Sequence, residues 1–296
     1  MTWGLIGASI QGYSHLRSNK KNQDSFNIFP NEPITPPPII FALSDGHGGE
    51  KYYRSDIGSK LAVESAIEIL TEFTKSPLIE EINTENIEEM NKKIKNTVCL
   101  DIVKNWRKKV ASQENPEDIK GDFNSIQREK NRPSIVDKQL EPYGSTLLIA
   151  VICTNCGIFI QLGDGDILFL SGKNQVERPI PKDENLIANE TYSLCLPGAE
   201  HYFKVNCILF GNKNEIDNSS DPSLIMLSTD GYSNSYTSDE NFEKVLIDLS
   251  KIIFENPEGL QSGIKNIKDN LESWLQETSK LGSGDDITVG LMVNLN

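Results

Sequence analysis

Three times in this chain an apolar run ends on Asp-Gly. Phe41-Ala42-Leu43-Ser44 leads to Asp45-Gly46, Phe159-Ile160-Gln161-Leu162-Gly163 to Asp164-Gly165, and Leu224-Ile225-Met226-Leu227-Ser228-Thr229 to Asp230-Gly231. Short apolar runs bounded by turn residues read as buried strands, and the glycine permits a sharp turn or a close backbone approach. One Asp-Gly alone is an ordinary hairpin signal. Its repetition, joined by Asp24 ahead of Ser25-Phe26 and by Gly284-Asp285-Asp286 ahead of Ile287-Thr288-Val289, points to carboxylates collected at strand ends. Such a collection repels itself unless cations neutralise it, and hard oxygen donors suit magnesium, manganese or calcium better than zinc.

The rest of the chain alternates β-rich blocks with a few long helical patterns, which predicts an α+β domain spanning residues 1–296. A first block, Trp3 to Ile28, passes through the proline-rich stretch Pro30 to Pro38 into a strand at Ile39 to Ser44. From Lys51 onward, Ile57, Leu61, Ala62, Ala66, Ile69, Leu70 and Phe73 recur at three- and four-residue steps, as on one face of a helix. A second helix is expected from about Thr84 to Lys109. Residues 111–142 are polar, carry Pro116, Pro133 and Pro142, and read as an insertion without candidate ligands. Strands at Ser145 to Cys153, Gly157 to Gln161 and Ile167 to Leu170 suggest an antiparallel meander. Further strands are expected at Tyr202 to Phe210, Leu224 to Ser228 and Ile287 to Val293, and amphipathic helices at Phe242 to Phe254 and Leu260 to Thr278.

Composition narrows the function by exclusion. A net charge of −14, from 29 basic against 43 acidic residues, sets the average surface against a phosphodiester backbone, so nucleic acid is not an expected partner. The start, Met1 to Ala8, lacks a basic region followed by a long apolar run, and no later stretch approaches a bilayer span, so a cytoplasmic protein with no membrane contact is expected. The five cysteines are odd in number, which argues for reduced thiols. Cys153-Thr154-Asn155-Cys156 has the CxxC spacing without a second pair to complete a zinc site, so it reads as structural.

The acidic residues sit in motifs. Asn22-Gln23-Asp24-Ser25-Phe26, Asp45-Gly46-His47-Gly48-Gly49, Tyr143-Gly144-Ser145-Thr146, Gly163-Asp164-Gly165-Asp166, Ser228-Thr229-Asp230-Gly231 and Gly284-Asp285-Asp286-Ile287-Thr288-Val289 follow the order and rough spacing of one family. Together they resemble the type 2C metal-dependent serine/threonine protein phosphatases, and Gly12 to Ser25 is similar to the bacterial branch. The resemblance implies a four-layer αββα sandwich, two antiparallel sheets flanked by helices, with a metal centre at one end.

It also implies roles. Asp45 bridges two manganese or magnesium ions, Asp230 and Asp285 complete one site, the Gly46 carbonyl lines the other, and Asp24 holds a water ligand. Asp164 with Asp230 matches a third, weaker cation position of bacterial relatives. His47 matches a residue that helps protonate the leaving group. Two departures stand out. Gln23 puts a neutral amide where many members carry glutamate, and Arg17 lies farther from the acidic pair than the usual phosphate-binding arginine, leaving Arg17, His15 and Lys20 as candidates, with Arg17 preferred.

A phosphate monoester dianion repels hydroxide, and paired cations answer this by lowering the pKa of a water and screening the phosphoryl oxygens. No cysteine lies in a Cys-x5-Arg context, so water is the expected nucleophile; the resemblance implies a phosphorylated protein as substrate, and a monomer is expected. Two other readings share the same centre: a non-catalytic module binding phosphorylated partners, which Gln23 favours, and a hydrolase of small phosphate esters.

Overall fold

The computed structural model describes residues 1–113, 139–171, 175–182, 191–211 and 221–296. Eleven strands among these form two antiparallel sheets. The first holds β1 (Trp3–Ile10), β3 (Ile34–Thr35), β7 (Asp166–Ser171), β8 (Val176–Glu177), β10 (Pro222–Ser228) and β11 (Ile287–Asn294), in the order β3-β1-β11-β10-β7-β8. The second holds β2 (Ser25–Phe29), β4 (Ile39–Ser44), β5 (Leu147–Ile152), β6 (Cys156–Leu162) and β9 (Lys204–Leu209), in the order β2-β4-β5-β6-β9.

Strand β4 explains the layering. All six of its residues are buried, because both faces of its sheet are covered. Ile39, Phe41 and Leu43 point between the sheets with Trp3, Phe169 and Met292. Ile40 and Ala42 point outward onto α2 (Ser55–Phe73) and the helical segment that follows it, where Leu61, Ala66, Ile102 and Trp106 meet them. On the far side, α6 (Asp239–Phe254) and α7 (Leu260–Leu281) bury Phe242, Leu246, Ile267 and Leu271 against Leu168, Met226 and Leu291 of the first sheet. The order helix, sheet, sheet, helix is the αββα arrangement expected. Phe41→Ala would open a cavity at its centre and cost about 3–5 kcal/mol.

The long helices fall where the periodicity places them. The second is broken into α3 (Ile87–Ile94) and α4 (Leu100–Ala111) by a π-helical turn at Lys95–Cys99, a wider turn that carries the chain on without a loop. A short helix, α1 (Tyr13–Ser18), lies inside the first expected β block, too brief to give a periodic signal. Of the polar segment, Ala111 closes α4 and Glu141–Tyr143 form a single helical turn; residues 114–138 lie outside the described residues.

One expectation fails. The three strands between residues 145 and 171 are not a meander: β5 and β6 pair as a hairpin, but β7 crosses to the other sheet and pairs with β10, Ser228 opposite Asp166. The redirection occurs at Gly163, whose φ of 109° lies where side chains are disfavoured. Alternation reports that a strand is buried, and it carries no information on which sheet receives it. No helix among the described residues is long and apolar enough to cross a membrane, and all five cysteines are free and buried.

Candidate metal centre

Antiparallel pairing brings the aspartates together. Ser25 opposite Ser44 sets Asp24, just before β2, beside Asp45, just after β4. In the other sheet Ser228 pairs with Val289 and Asp166, so Asp230 after β10 meets Asp285 before β11 and Asp164 before β7. Both sheets open at the same end. Asp230 begins a short helix, α5 (Asp230–Ser233), instead of a hairpin.

The carboxylates bear on one another. Burial holds Asp24 and Asp45 well above the usual carboxylate range, and neighbouring carboxylates, Asp286 for the first and Asp24 and Asp230 for the second, add to it. Asp230, within hydrogen-bonding reach of Asp45, is pushed up to about 6 by burial and then by Asp164 and Asp285. Burial also raises Asp164. Neutral donors offset part of this: Thr229 Oγ1 donates to Asp24 at 2.8 Å, Asn234 Nδ2 donates to Asp230 at 3.0 Å, and Thr191 lowers Asp164. An all-oxygen, mutually repelling set of this kind fits divalent cations.

Gly46 cannot be another residue. A Cβ there would stand 2.5 Å from the Gln23 carbonyl oxygen and 2.6 Å from that of Ser55. The same contact, Gly46 N to Gln23 O at 3.1 Å, ties the Asp45 turn to the segment bearing Asp24. Gln23 presents its side chain in one sense only. Its Nε2 donates to the His47 carbonyl at 3.1 Å and to Ser55 Oγ, so Oε1 is the free end, buried and without a hydrogen-bond partner. An orphaned amide oxygen beside Asp24 is a neutral donor where the family more often offers a carboxylate.

His47 has an aromatic neighbour. Its ring packs on Tyr52, centroids 4.7 Å apart, and against Gly144. Burial, then the charge of Lys51, pushes it down to about 4, so it is neutral near pH 7. Arg17 is exposed on α1. A cleft of about 350 Å³ next to Gln23 is lined instead by Lys20, Lys21, Gly48, Tyr52 and Tyr53.

Asp286 escaped the sequence reading as a site residue, and His15 entered it only as a candidate phosphate contact. Asp286, 4% exposed, accepts hydrogen bonds from Gly12 N at 2.6 Å, Gln23 N at 2.7 Å and His15 Nδ1 at 2.9 Å. It is thereby occupied as the peg that fixes the Gly12–Gln23 segment onto the start of β11. His15, Asp285 and Asp286 bring potential ligand atoms within 4.8 Å of one another. The doubled aspartate was the available signal. Its division of labour, Asp285 outward and Asp286 inward, depends on a partner more than 260 residues away.

The sequence matches the protein phosphatase 2C family over residues 11–276, a span that stops short of Asp285 and Asp286. No curated protein matches it. Among solved structures, it is similar to the serine/threonine phosphatase Stp1 from Staphylococcus aureus (14% identity, TM-score 0.56, covering 99% of this chain and 95% of that one). It is also similar to the Mycobacterium tuberculosis serine/threonine phosphatase PstP/Ppp (14%, 0.52, 99% of each) and to a PstP catalytic domain in complex with two manganese ions (16%, 0.51, 99% and 98%). At these identities the likeness speaks for the fold.

Proposed function

The chain belongs to the protein phosphatase 2C family of metal-dependent serine/threonine protein phosphatases, and we propose that it hydrolyses phosphoserine and phosphothreonine esters of proteins at the Asp45 cluster. The observation that carries this is the convergence of Asp24, Asp45, Asp164, Asp230 and Asp285 from separate strand ends into one mutually destabilised set. Manganese or magnesium held there supplies a water of lowered pKa and screens the phosphoryl oxygens. The PstP catalytic domain with two manganese ions supports a pair of cations.

In this reading Asp45 would be shared between the two, Asp230 and Asp285 would complete one site, and the Gly46 carbonyl would line the other. Asp24, fixed by Thr229, orients a water, and Asp164 with Asp230 offers a third, weaker position. The phosphate is met from the cleft side by a cation: Arg17 on α1 or Lys20 in the cleft wall. His47 assists the leaving oxygen. Being neutral, it would do so through a ring N–H and not as an imidazolium. The chain is read as one phosphatase domain and a monomer, with residues 111–142 as an insertion away from the chemistry.

The test is hydrolysis of a phosphopeptide by the full chain. It should be absent in excess chelator and return with manganese or magnesium; full turnover in chelator would overturn the metal mechanism. Turnover of nucleotides or sugar phosphates without phosphopeptide would replace the protein substrate by a small ester, and metal-dependent binding without turnover would make the chain a phosphoprotein reader. Against an activated aryl phosphate, whose leaving group needs little protonation, the His47→Ala defect should shrink from its phosphopeptide value of up to about a hundredfold. Equal losses would remove His47 from that role.

A further inference from the structure

Asp286 is a carboxylate with three donors directed at it: the Gly12 and Gln23 amides and the Nδ1 of His15, at 2.6, 2.7 and 2.9 Å. An ionised carboxylate only accepts, so Nδ1 carries the hydrogen, and in the neutral imidazole the lone pair is left on Nε2. That nitrogen lies 3.8 Å from Asp285 Oδ1, and only 12% of the His15 side chain is exposed. The separation is too long for a hydrogen bond. It does suit two ligands of one ion: donors about 2.1 Å from a common cation stand about 3 Å apart at right angles and about 4 Å apart when opposed.

We propose that His15 Nε2 is a nitrogen ligand to the cation held by Asp285. Asp286 then sets the tautomer and the ring orientation, as a carboxylate behind a ligating histidine does. Asp285 links this nitrogen to the main cluster, since its charge acts on both Asp45 and Asp230. The consequence is selectivity. A mixed nitrogen and oxygen set shifts preference from magnesium towards manganese and later transition metals.

The inference rests on the cluster binding a divalent cation, and the two can fail separately. The metal-free full chain, wild type and His15→Gln, is loaded with substoichiometric manganese and examined by pulsed electron paramagnetic resonance for coupling to nitrogen-14, with magnesium and manganese affinities measured by calorimetry. The wild type should show the coupling and His15→Gln should lose it. Manganese affinity should fall about 10- to 100-fold, with magnesium affinity changed by less than about threefold. Thermal unfolding of both proteins checks that the variant is folded, and His15→Asn, with a shorter amide, is the second replacement should glutamine disturb α1. Manganese bound without nitrogen coupling in the wild type, or coupling that survives in His15→Gln, overturns the assignment while leaving the phosphatase reading intact. Unchanged manganese affinity with weakened binding of inorganic phosphate also overturns it, making His15 an anion contact. Failure of the wild type to bind manganese at all sinks both.

Discussion

Asp164 and Asp166 stand two residues apart at the crossover between the sheets, yet their surroundings are opposite. Asp166, 2% exposed, is answered by protein cations: Arg178 Nη1 bonds it directly, Lys182 Nζ lies at 3.9 Å, and Arg178 reaches on to Glu243 at 3.5 Å and Asp239 at 3.8 Å. Asp164 is exposed and acts on Asp230, whose other charged neighbours are more carboxylates. A buried acid matched by a guanidinium is architecture, since its charge is already compensated when the chain folds. An acid matched by other acids needs something the polypeptide does not contain.

Changing one acid in the uncompensated group should have the largest effect. Asp45→Asn should lose at least about a thousandfold in phosphopeptide turnover, with little rescue by excess manganese, because it removes charge from both proposed sites. Its metal-free form should unfold no more easily than wild type, since repulsion falls; near-normal turnover by the folded variant would erase the contrast. In the compensated group the effect moves to stability. Arg178→Ala strands Asp166 as an unpaired buried charge and should cost about 3–5 kcal/mol in denaturant unfolding, while the folded variant still binds manganese. A loss of manganese binding there would mean the two groups are one. Asp230→Asn removes a ligand from one site, so the manganese concentration for half-maximal turnover should rise by about tenfold or more, with activity partly restored at high manganese.

The smallest expected effect is in pH. Asp230 titrates near 6 in the folded, metal-free chain and near 3.8 when unfolded, so between those values the folded state holds more protons. Stability of the metal-free protein should therefore fall as pH rises from about 4 to 6, the reverse of an ordinary ion-paired carboxylate. Thermal unfolding in chelator at pH 5 and 7.5 measures it; manganese should abolish the difference, and a protein more stable at 7.5 without metal would contradict the repulsive cluster.

Much of this was legible in the sequence because it was local. Burial of β4, the helical faces of α2, α6 and α7, and the strand-end positions of Asp24, Asp45, Asp230 and Asp285 follow from patterns a few residues long. What escaped was set by partners distant in the chain. The sheet receiving β7 depends on β10, the inward turn of Asp286 depends on Gly12 and His15, and the pairing of Asp166 depends on Arg178 and Lys182. The place of His47 in Asp45-Gly46-His47 was legible, and its packing on Tyr52 was not. Adjacency in sequence fixes backbone neighbours and leaves the direction of a side chain to tertiary contacts.

Strand β11 lies between β1 and β10, pairing with the first from Trp3–Asn294 to Ile10–Ile287 and with the second from Leu224–Val293 to Ser228–Val289. It follows the other described strands in the chain, and Asp285 and Asp286 lie just ahead of it. A nascent chain halted before Asp285 would hold β1 and β10 as two open edges exposed to chaperones and to other chains. It would also lack both the ligand and the peg that seats the Gly12–Gln23 segment. Synthesis itself therefore sets an order: the proposed cation cage cannot come together until β11 has been made.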